Sequence, residues 1–458
     1  MKKLLWIGCL AYLLTGFTHV ILGAVLPELL AHYQGTYSDG GRIVFIEFAG
    51  FLCGVLLMPR LAGAISRRRA LLTAALLLGS AEVLLSLLPP WNVAMALAGM
   101  AGLGFGLTEG GIGTLVLIAA KEKQAVAMSR LEVFFGLGAL LMPFISSFLI
   151  MQGVWRLSFL VLGISALAMI PVWAKMSFGE LDELLGARKR GLRTRDEAET
   201  RAGGSGAESA AGSRRRSEAD SVTDSGIGSV TDSVADSAAA AAGTVQQRGK
   251  EQPGRAPHYG TRGLIVLGLF ICVFFFYVGA EVAIVNYLPS VFTDKLSLTS
   301  SAATLSVTAY WLAMVIGRLV AGNIAEAVTY RSFMLWSVAG TVVVLVGLAF
   351  TNGLIGAFAF VLASGLLMAG MFAVALIYAN RLLPEALTER TTSLLIAAGG
   401  LGGSLLPLLV GRIMDAEGAS AAVWSFAAAM LLMLVLLAAA AAAGGRERRT
   451  AAQQPSSH

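Results

Sequence analysis

Long apolar runs, separated by short polar or basic clusters, fill almost the whole of this chain. Twelve are present, at about 4–32, 42–65, 69–89, 92–120, 125–150, 155–175, 261–290, 299–326, 331–351, 354–380, 389–414 and 419–443. Each is long enough for a helix crossing about 30 Å of hydrocarbon, which takes about 20 residues. The Gly, Pro and Ser residues inside them are tolerated in membrane helices, where neighbouring helices re-satisfy the backbone. The pattern fails between 176 and 260, where Ser, Ala, Gly, Asp and Arg dominate and SVTDSGIGSVTDSVADS stutters from Ser221 to Ser237. That stretch has too little apolar surface to offset the entropy of ordering, and is expected to be disordered. The pattern predicts an all-α membrane protein of twelve transmembrane helices in two pseudo-symmetric six-helix bundles, 1–175 and 261–444. A disordered cytoplasmic linker, 176–260, joins them, and a cytoplasmic tail, 445–458, follows.

The two bundles read as copies. GLGALLMP (Gly136–Pro143) returns as GLGGSLLP (Gly400–Pro407), Leu26-Pro27 returns as Leu288-Pro289, and the stretch from Gly54 aligns with that from Gly317. All three matches have nearly the same offset, so the unit is duplicated. Duplicated bundles of membrane helices are the plan of secondary transporters, whose substrate site lies near the bilayer midplane where the halves meet.

Composition agrees: 56% of residues are hydrophobic and 14% charged, against roughly 25% charged in soluble domains. Basic residues set the orientation. Lys2, Lys3, Arg67, Arg68, Arg69, Lys121, Lys123, Arg446, Arg448 and Arg449 fall at one set of span ends, whereas on the other side LLPPWN and TNG carry none and the loop near Lys295 carries one. Both termini are therefore expected in the cytoplasm, with the protein in the plasma membrane. The net charge of +6 reflects this asymmetry and gives no sign of nucleic-acid binding. In the linker, Arg188, Lys189, Arg190, Arg193 and Arg195 gather near span 6. Inside-positive charge on a solvated tether accounts for them more simply than contact with anionic lipid. Cys9, Cys53 and Cys272 all fall within spans, so neither a disulfide framework nor a metal site is expected. The four apolar residues between Lys3 and Gly8 are too few for a signal-peptide core ending at Cys9.

Ionisable groups inside a span are costly and mark function by default. The candidates are His19, Glu47, Glu82, Glu109, Glu132, Glu281 and Arg318, with Asn286 as a neutral partner beyond Glu281. His19 is eight residues before Pro27 and Glu281 eight before Pro289, so the repeat places them symmetrically about a central cavity. A cavity holding a His, carboxylates and an amide suits a small hydroxylated ligand, whose O–H groups require partners. Mutual satisfaction within the bundle is the simpler account for each group; it is preferred for Glu82, alone on span 3. Gly-rich span 4 surrounds Glu109, and close helix packing explains most of those glycines. Glu132 and Arg318 lie at matching depth on spans 5 and 8.

The duplicated six-span plan and the long central loop resemble the major facilitator superfamily. The resemblance places spans 5 and 8 side by side at the interface between the halves, so Glu132 and Arg318 are expected to pair as a gate on the cytoplasmic side in the outward-facing state. The loop between spans 2 and 3 keeps only Pro59-Arg60 and Ser66–Arg69 of its usual basic motif. The finer resemblance is to the fucose–galactose–glucose:proton symporter branch, particularly glucose/mannose-type permeases. It is carried by Ile46–Leu56, Gly106–Ala119, Met128–Leu140, Gly279–Ser290 and Trp311–Gly322. The resemblance implies sugar uptake coupled to inward proton flow, with the span 4 carboxylate, here Glu109, in the coupling path. The span 1 Asp of fucose-specific members falls at Gly23 and is missing, which favours the glucose/mannose type, where a His resembling His19 precedes the Leu-Pro. Glu47 stands where that type usually has an amide.

The expectation is a proton-coupled importer of a small hydroxylated solute, a hexose by resemblance, working by alternating access. His19, Glu47, Glu281, Asn286 and Trp311 would bind substrate, with Trp311 stacking on the sugar or simply packing. No nucleophile–base set, phosphate loop or metal spacing is present, so no enzyme activity and no cofactor are expected. A drug or sugar exporter is the alternative within transport, but Gly136–Pro143 lacks the Gly-Pro dipeptide of drug:proton antiporters. A membrane sensor has no folded signalling domain in the sequence to support it.

Overall fold

The computed structural model describes residues 2–120, 124–175 and 259–451. Lys121, Lys123, the linker from 176 to 258 with its basic group Arg188–Arg195, and the tail from 452 lie outside the described residues. Six helices build the first half: α1 (Lys2–Tyr33), α2 (Tyr37–Ile65), α3 (Arg67–Leu85), α4 (Trp91–Ala120), α5 (Gln124–Met151) and α6 (Leu157–Lys175). The second half comprises α7 (Thr261–Leu296), α8 (Ser300–Val328), α9 (Tyr330–Phe350), α10 (Leu354–Met368), α11 (Met371–Leu382), α12 (Thr388–Glu417) and α13 (Ala419–Ala451). Among the described residues 11 helical segments are long and apolar enough to cross a membrane, with α10 and α11 counted together. The remaining helix, α3, begins on Arg67, Arg68 and Arg69 and contains Glu82, so its charges outweigh its hydropathy.

Two boundaries depart from the apolar pattern. The run 354–380 is not one helix: it breaks after Met368, where Gly370 takes φ +74°, a conformation open chiefly to glycine. The last helix continues to Ala451, so the beginning of the expected tail is helical.

The duplication is visible in the packing. In the first half α1 packs on α5, α2 on α4, and α3 on α6; in the second α7 packs on α12, α8 on α10, and α9 on α13. The α1–α5 crossing is made at Gly16 and Gly138: a Cβ on either would overlap the carbonyl oxygen of Phe135 or Leu13. At the α7–α12 crossing, Gly279 and Gly402 do the same against the carbonyls of Gly402 and Phe275. The links after spans 2 and 8 match as well. Ser66 and Thr329 both take positive φ, 86° and 104°, uncommon for residues with a side chain. Each hydroxyl caps the following helix, accepting from the N–H of Arg69 and of Ser332.

The halves meet through α2–α12, α5–α8 and α1–α7, and they are joined most firmly at the end poor in basic residues. There Asp415 of α12 accepts hydrogen bonds from the backbone N–H groups of Tyr37 and Ser38, both at 2.7 Å. Those groups open α2, so a carboxylate of one half completes the cap of a helix in the other, where the helix dipole also favours it. Tyr37 donates its hydroxyl to Asp294 at 2.5 Å, and Tyr287 donates its own to the Tyr37 carbonyl at 2.8 Å. Ser147 and Thr304 bridge the halves through the carbonyls of Ser301 and Ala24, at 2.8 Å each.

This latch generates a test. Asp415→Ala leaves two helix-opening N–H groups without their charged partner. Discounted for the exposure of Asp415, that is about 1–2 kcal/mol, or roughly five- to thirtyfold in the closed-to-open ratio. Spin labels at Gln34 and Glu417, with Cys9, Cys53 and Cys272 replaced, should show a growing long-distance population. An unchanged distance distribution would remove the latch from the control of this end.

Candidate functional site

Below the latch, one face of each of five helices converges between the halves. His19 of α1 sits in a box of rings: Phe48 of α2 at 5.5 Å between centroids, Phe105 of α4 at 6.4 Å, Phe135 of α5 at 5.3 Å and Trp311 of α8 at 5.7 Å. Its Nε2 is buried and makes no hydrogen bond among the described residues. Apolar edges fix the imidazole in place while leaving this nitrogen unused.

Trp311 is fully enclosed. Phe135 lies 5.8 Å and Tyr310 6.2 Å away, and the Arg318 guanidinium stands 5.4 Å over the indole face. The ring therefore has no open face for a sugar in this conformation, which corrects the stacking expectation; its Nε1 is buried and without a hydrogen bond. Asn286, also buried, is half used by its own helix: its amide donates to the Val282 carbonyl at 2.9 Å, and Oδ1 remains unpaired. One amide N–H is spent on the helix, and Oδ1 is left as a free acceptor. Gly23 packs directly on this residue, and a Cβ there would lie 2.5 Å from the Asn286 Cα. An Asp at position 23 would force α1 and α7 apart.

Arg318 is the hub of charge. Its guanidinium reaches Glu132 of α5 at 3.4 Å and approaches Glu281 of α7 at 4.0 Å. Glu281 is buried, whereas the Glu132 side chain is 49% exposed although it faces the opposite half. Exposure at that depth means that a crevice between the halves opens toward the basic-rich end. The ion pair thus coexists with a sealed basic-poor end. Glu109 of α4 is only partly buried and close enough to Glu132 for the carboxylates to interact; the Tyr12 hydroxyl donates to its backbone carbonyl at 3.3 Å. Glu109, Glu132, Arg318 and Glu281 therefore form a line of ionisable groups crossing from one half to the other.

Glu47 does not join this set, although the sequence placed it at the central cavity. It shares a face of α2 with Gly50 and Gly54, whose Cβ positions abut the α4 backbone, while the Glu47 carbonyl meets Gly102. Phe48 and Leu52, on the neighbouring face, are the residues that meet Gly403 and Gly400 of α12. Glu47 is buried inside the first half, within electrostatic reach of the equally buried Glu82. The latch residues Tyr37, Asp294 and Asp415 were missed because charge at the end of an apolar run reads as an ordinary solvated loop. Among the described residues no three or more His, Cys, Asp or Glu side chains are arranged to hold a metal ion, and the cysteines are free.

The sequence matches the Major Facilitator Superfamily over residues 8–211 and 269–457. The chain belongs to that superfamily. This member is 24% identical to the glucose/mannose transporter GlcP of Bacillus subtilis, across 90% of this chain and 88% of the relative. It is 23% identical to the bypass of stop codon protein 6 of Saccharomyces cerevisiae, across 91% and 78%. Among solved structures, it superposes on a D-xylose-proton symporter with a TM-score of 0.66 at 15% identity, covering 94% of this chain and 96% of that one. A partially occluded inward open conformation of the xylose transporter XylE from E. coli also gives 0.66 at 15% identity, covering 95% and 97%. The superfamily member is thus a multi-pass membrane transporter with two six-helix halves.

The hub predicts an unequal response to mutation. Glu132→Gln removes a half-exposed partner and should cost at most about 1 kcal/mol of stability. Arg318→Gln strands buried Glu281 as well, and should cost about 3 kcal/mol or more. Thermal unfolding of the detergent-solubilised variants measures the difference, and Glu281→Gln added to Arg318→Gln should recover much of the loss. Equal, small effects of both single changes would mean that Arg318 does not hold Glu281.

Proposed function

We propose that this protein is a proton-coupled importer of a hexose, working by alternating access in the plasma membrane with both termini in the cytoplasm. The observation that carries the reading is the similarity to a glucose/mannose transporter along nearly the full length of both chains. The central site supports it: an unpaired imidazole nitrogen enclosed by rings, with an indole N–H and an amide oxygen also buried and unpaired, offers directional partners within an apolar wall. That combination suits a sugar, which presents hydroxyl groups at its edge and C–H groups on its faces.

In the mechanism, Glu109 takes a proton from the cavity when the basic-poor end is open. Sugar then binds between the halves against His19 and Asn286, and the latch of Asp415 and Tyr37 forms behind it. The neighbouring line from Glu132 through Arg318 to Glu281 responds to the charge on Glu109, since a neutral Glu109 no longer repels Glu132. Arg318 is shared between a carboxylate of each half and stays paired with Glu132 while the basic-poor end is sealed, so the pair serves as a joint about which the basic-rich end opens and lets sugar and proton leave inward. Glu47, sealed within the first half, has no part in sugar contact.

Uptake of labelled D-glucose and D-mannose into proteoliposomes tests this. Wild-type protein should accumulate sugar only with an inward proton gradient. Glu109→Gln should lose accumulation while still exchanging sugar down its own gradient. Accumulation without a proton gradient, or full accumulation by Glu109→Gln, would overturn the coupling scheme; gradient-driven efflux in place of uptake would make the protein an exporter.

A further inference from the structure

Helix α8 carries one more polar group that its surroundings leave unused. Many threonine hydroxyls inside helices of this protein bond back to the carbonyl four residues earlier, among them Thr18 to Leu14, Thr108 to Gly104, Thr114 to Gly110, Thr293 to Pro289, Thr304 to Ser300 and Thr341 to Ser337. Thr308 does not. Its Oγ1 is buried and makes no hydrogen bond among the described residues. Leaving a buried hydroxyl unpaired is unfavourable when the carbonyl of Thr304 lies one turn away on the same helix.

The position of Thr308 gives this meaning. Thr304, one turn earlier, reaches the carbonyl of Ala24 on α1. Trp311, three residues later, packs on His19 of α1 and Phe135 of α5, and Val315 meets Gly136 of α5. Residues 304, 308, 311 and 315 share one helical face, so Thr308 looks across the interface between the halves. It sits between the sealed basic-poor end and the ring box around His19. His19 Nε2, Trp311 Nε1 and Thr308 Oγ1 are thus three unpaired buried polar atoms in one neighbourhood, from two helices that belong to different halves.

We infer that Thr308 is a substrate-binding and specificity-determining residue, whose hydroxyl pairs with one hydroxyl group of the transported solute. The assignment rests on the proposed hexose transport and adds a residue to that site. A hydroxyl both donates and accepts, so it matches a sugar O–H in either sense, whereas the Asn286 oxygen left free can only accept. A ligand bridging Thr308 and His19 would be held by α8 of one half and α1 of the other.

The experiment compares wild type, Thr308→Ser and Thr308→Val, each full-length and in nanodiscs, binding D-glucose, D-mannose and the monodeoxy glucoses. Thr308→Val should weaken glucose binding about tenfold, the usual size of one buried hydrogen bond, and Thr308→Ser should retain it. The loss should vanish for the one deoxy sugar that lacks the partner hydroxyl. Without ligand, Thr308→Val should melt at the same temperature as wild type or higher, because the hydroxyl has no protein partner to lose. Wild-type glucose affinity in Thr308→Val would overturn the assignment. So would a uniform loss across all sugars accompanied by a lower melting temperature, the mark of a structural hydroxyl. If wild type binds none of these sugars while remaining folded, the hexose reading itself falls, and the role of Thr308 with it.

Discussion

Backbone-to-backbone contact at paired glycines is the constraint on which this molecule rests. Within lipid there is no hydrophobic drive to push apolar helices together, so close packing and polar contacts must hold them. Gly16 and Gly138 let α1 lie directly on α5, and Gly279 and Gly402 let α7 lie on α12. With those faces spent on packing inside each half, the remaining faces of α1, α5 and α7 are turned toward the other half. His19, Glu132 and Glu281 project from them. The central site is in this sense a by-product of where side chains are absent.

The two halves are held by chemically different contacts at two levels. Near the basic-poor end the joints are short hydrogen bonds to backbone groups, with Asp415 finishing the first turn of α2. At the depth of Arg318 they are longer, between side chains, and reach a half-exposed carboxylate. Backbone N–H groups at a helix start are fixed in number and direction, which makes the first set rigid and all-or-none. A long guanidinium shared between Glu132 and Glu281 can exchange partners with little movement, which makes the second set adjustable. The proposed alternating-access cycle draws on contacts of both kinds.

The candidate site was legible to different degrees. His19 and Glu281 stood out because the repeat matched their distances to a proline, and the structure links them through Trp311 and Arg318 of α8. Glu47 was misplaced because hydropathy gives depth along a helix but not rotation about it. Only the contact of Gly50 and Gly54 with α4 shows that its face is internal to the first half. Asp415 was passed over for a related reason: its partners are backbone groups at positions 37 and 38, and no side-chain pattern announces a donor that every residue possesses.

By itself the sequence determined the number, length and duplication of the helical spans. Those follow from the thickness of the bilayer and from the cost of burying unpaired backbone groups, which act on each segment separately. The tertiary structure decided which face of each helix is spent on packing and which is left for chemistry. It broke the tenth run at Gly370, enclosed Trp311, left Thr308 without its customary carbonyl and joined Asp415 to α2. Each of these depends on the angle and offset between helices that are distant in the chain. Those quantities are set by the closest approach of two backbones, which no single segment encodes.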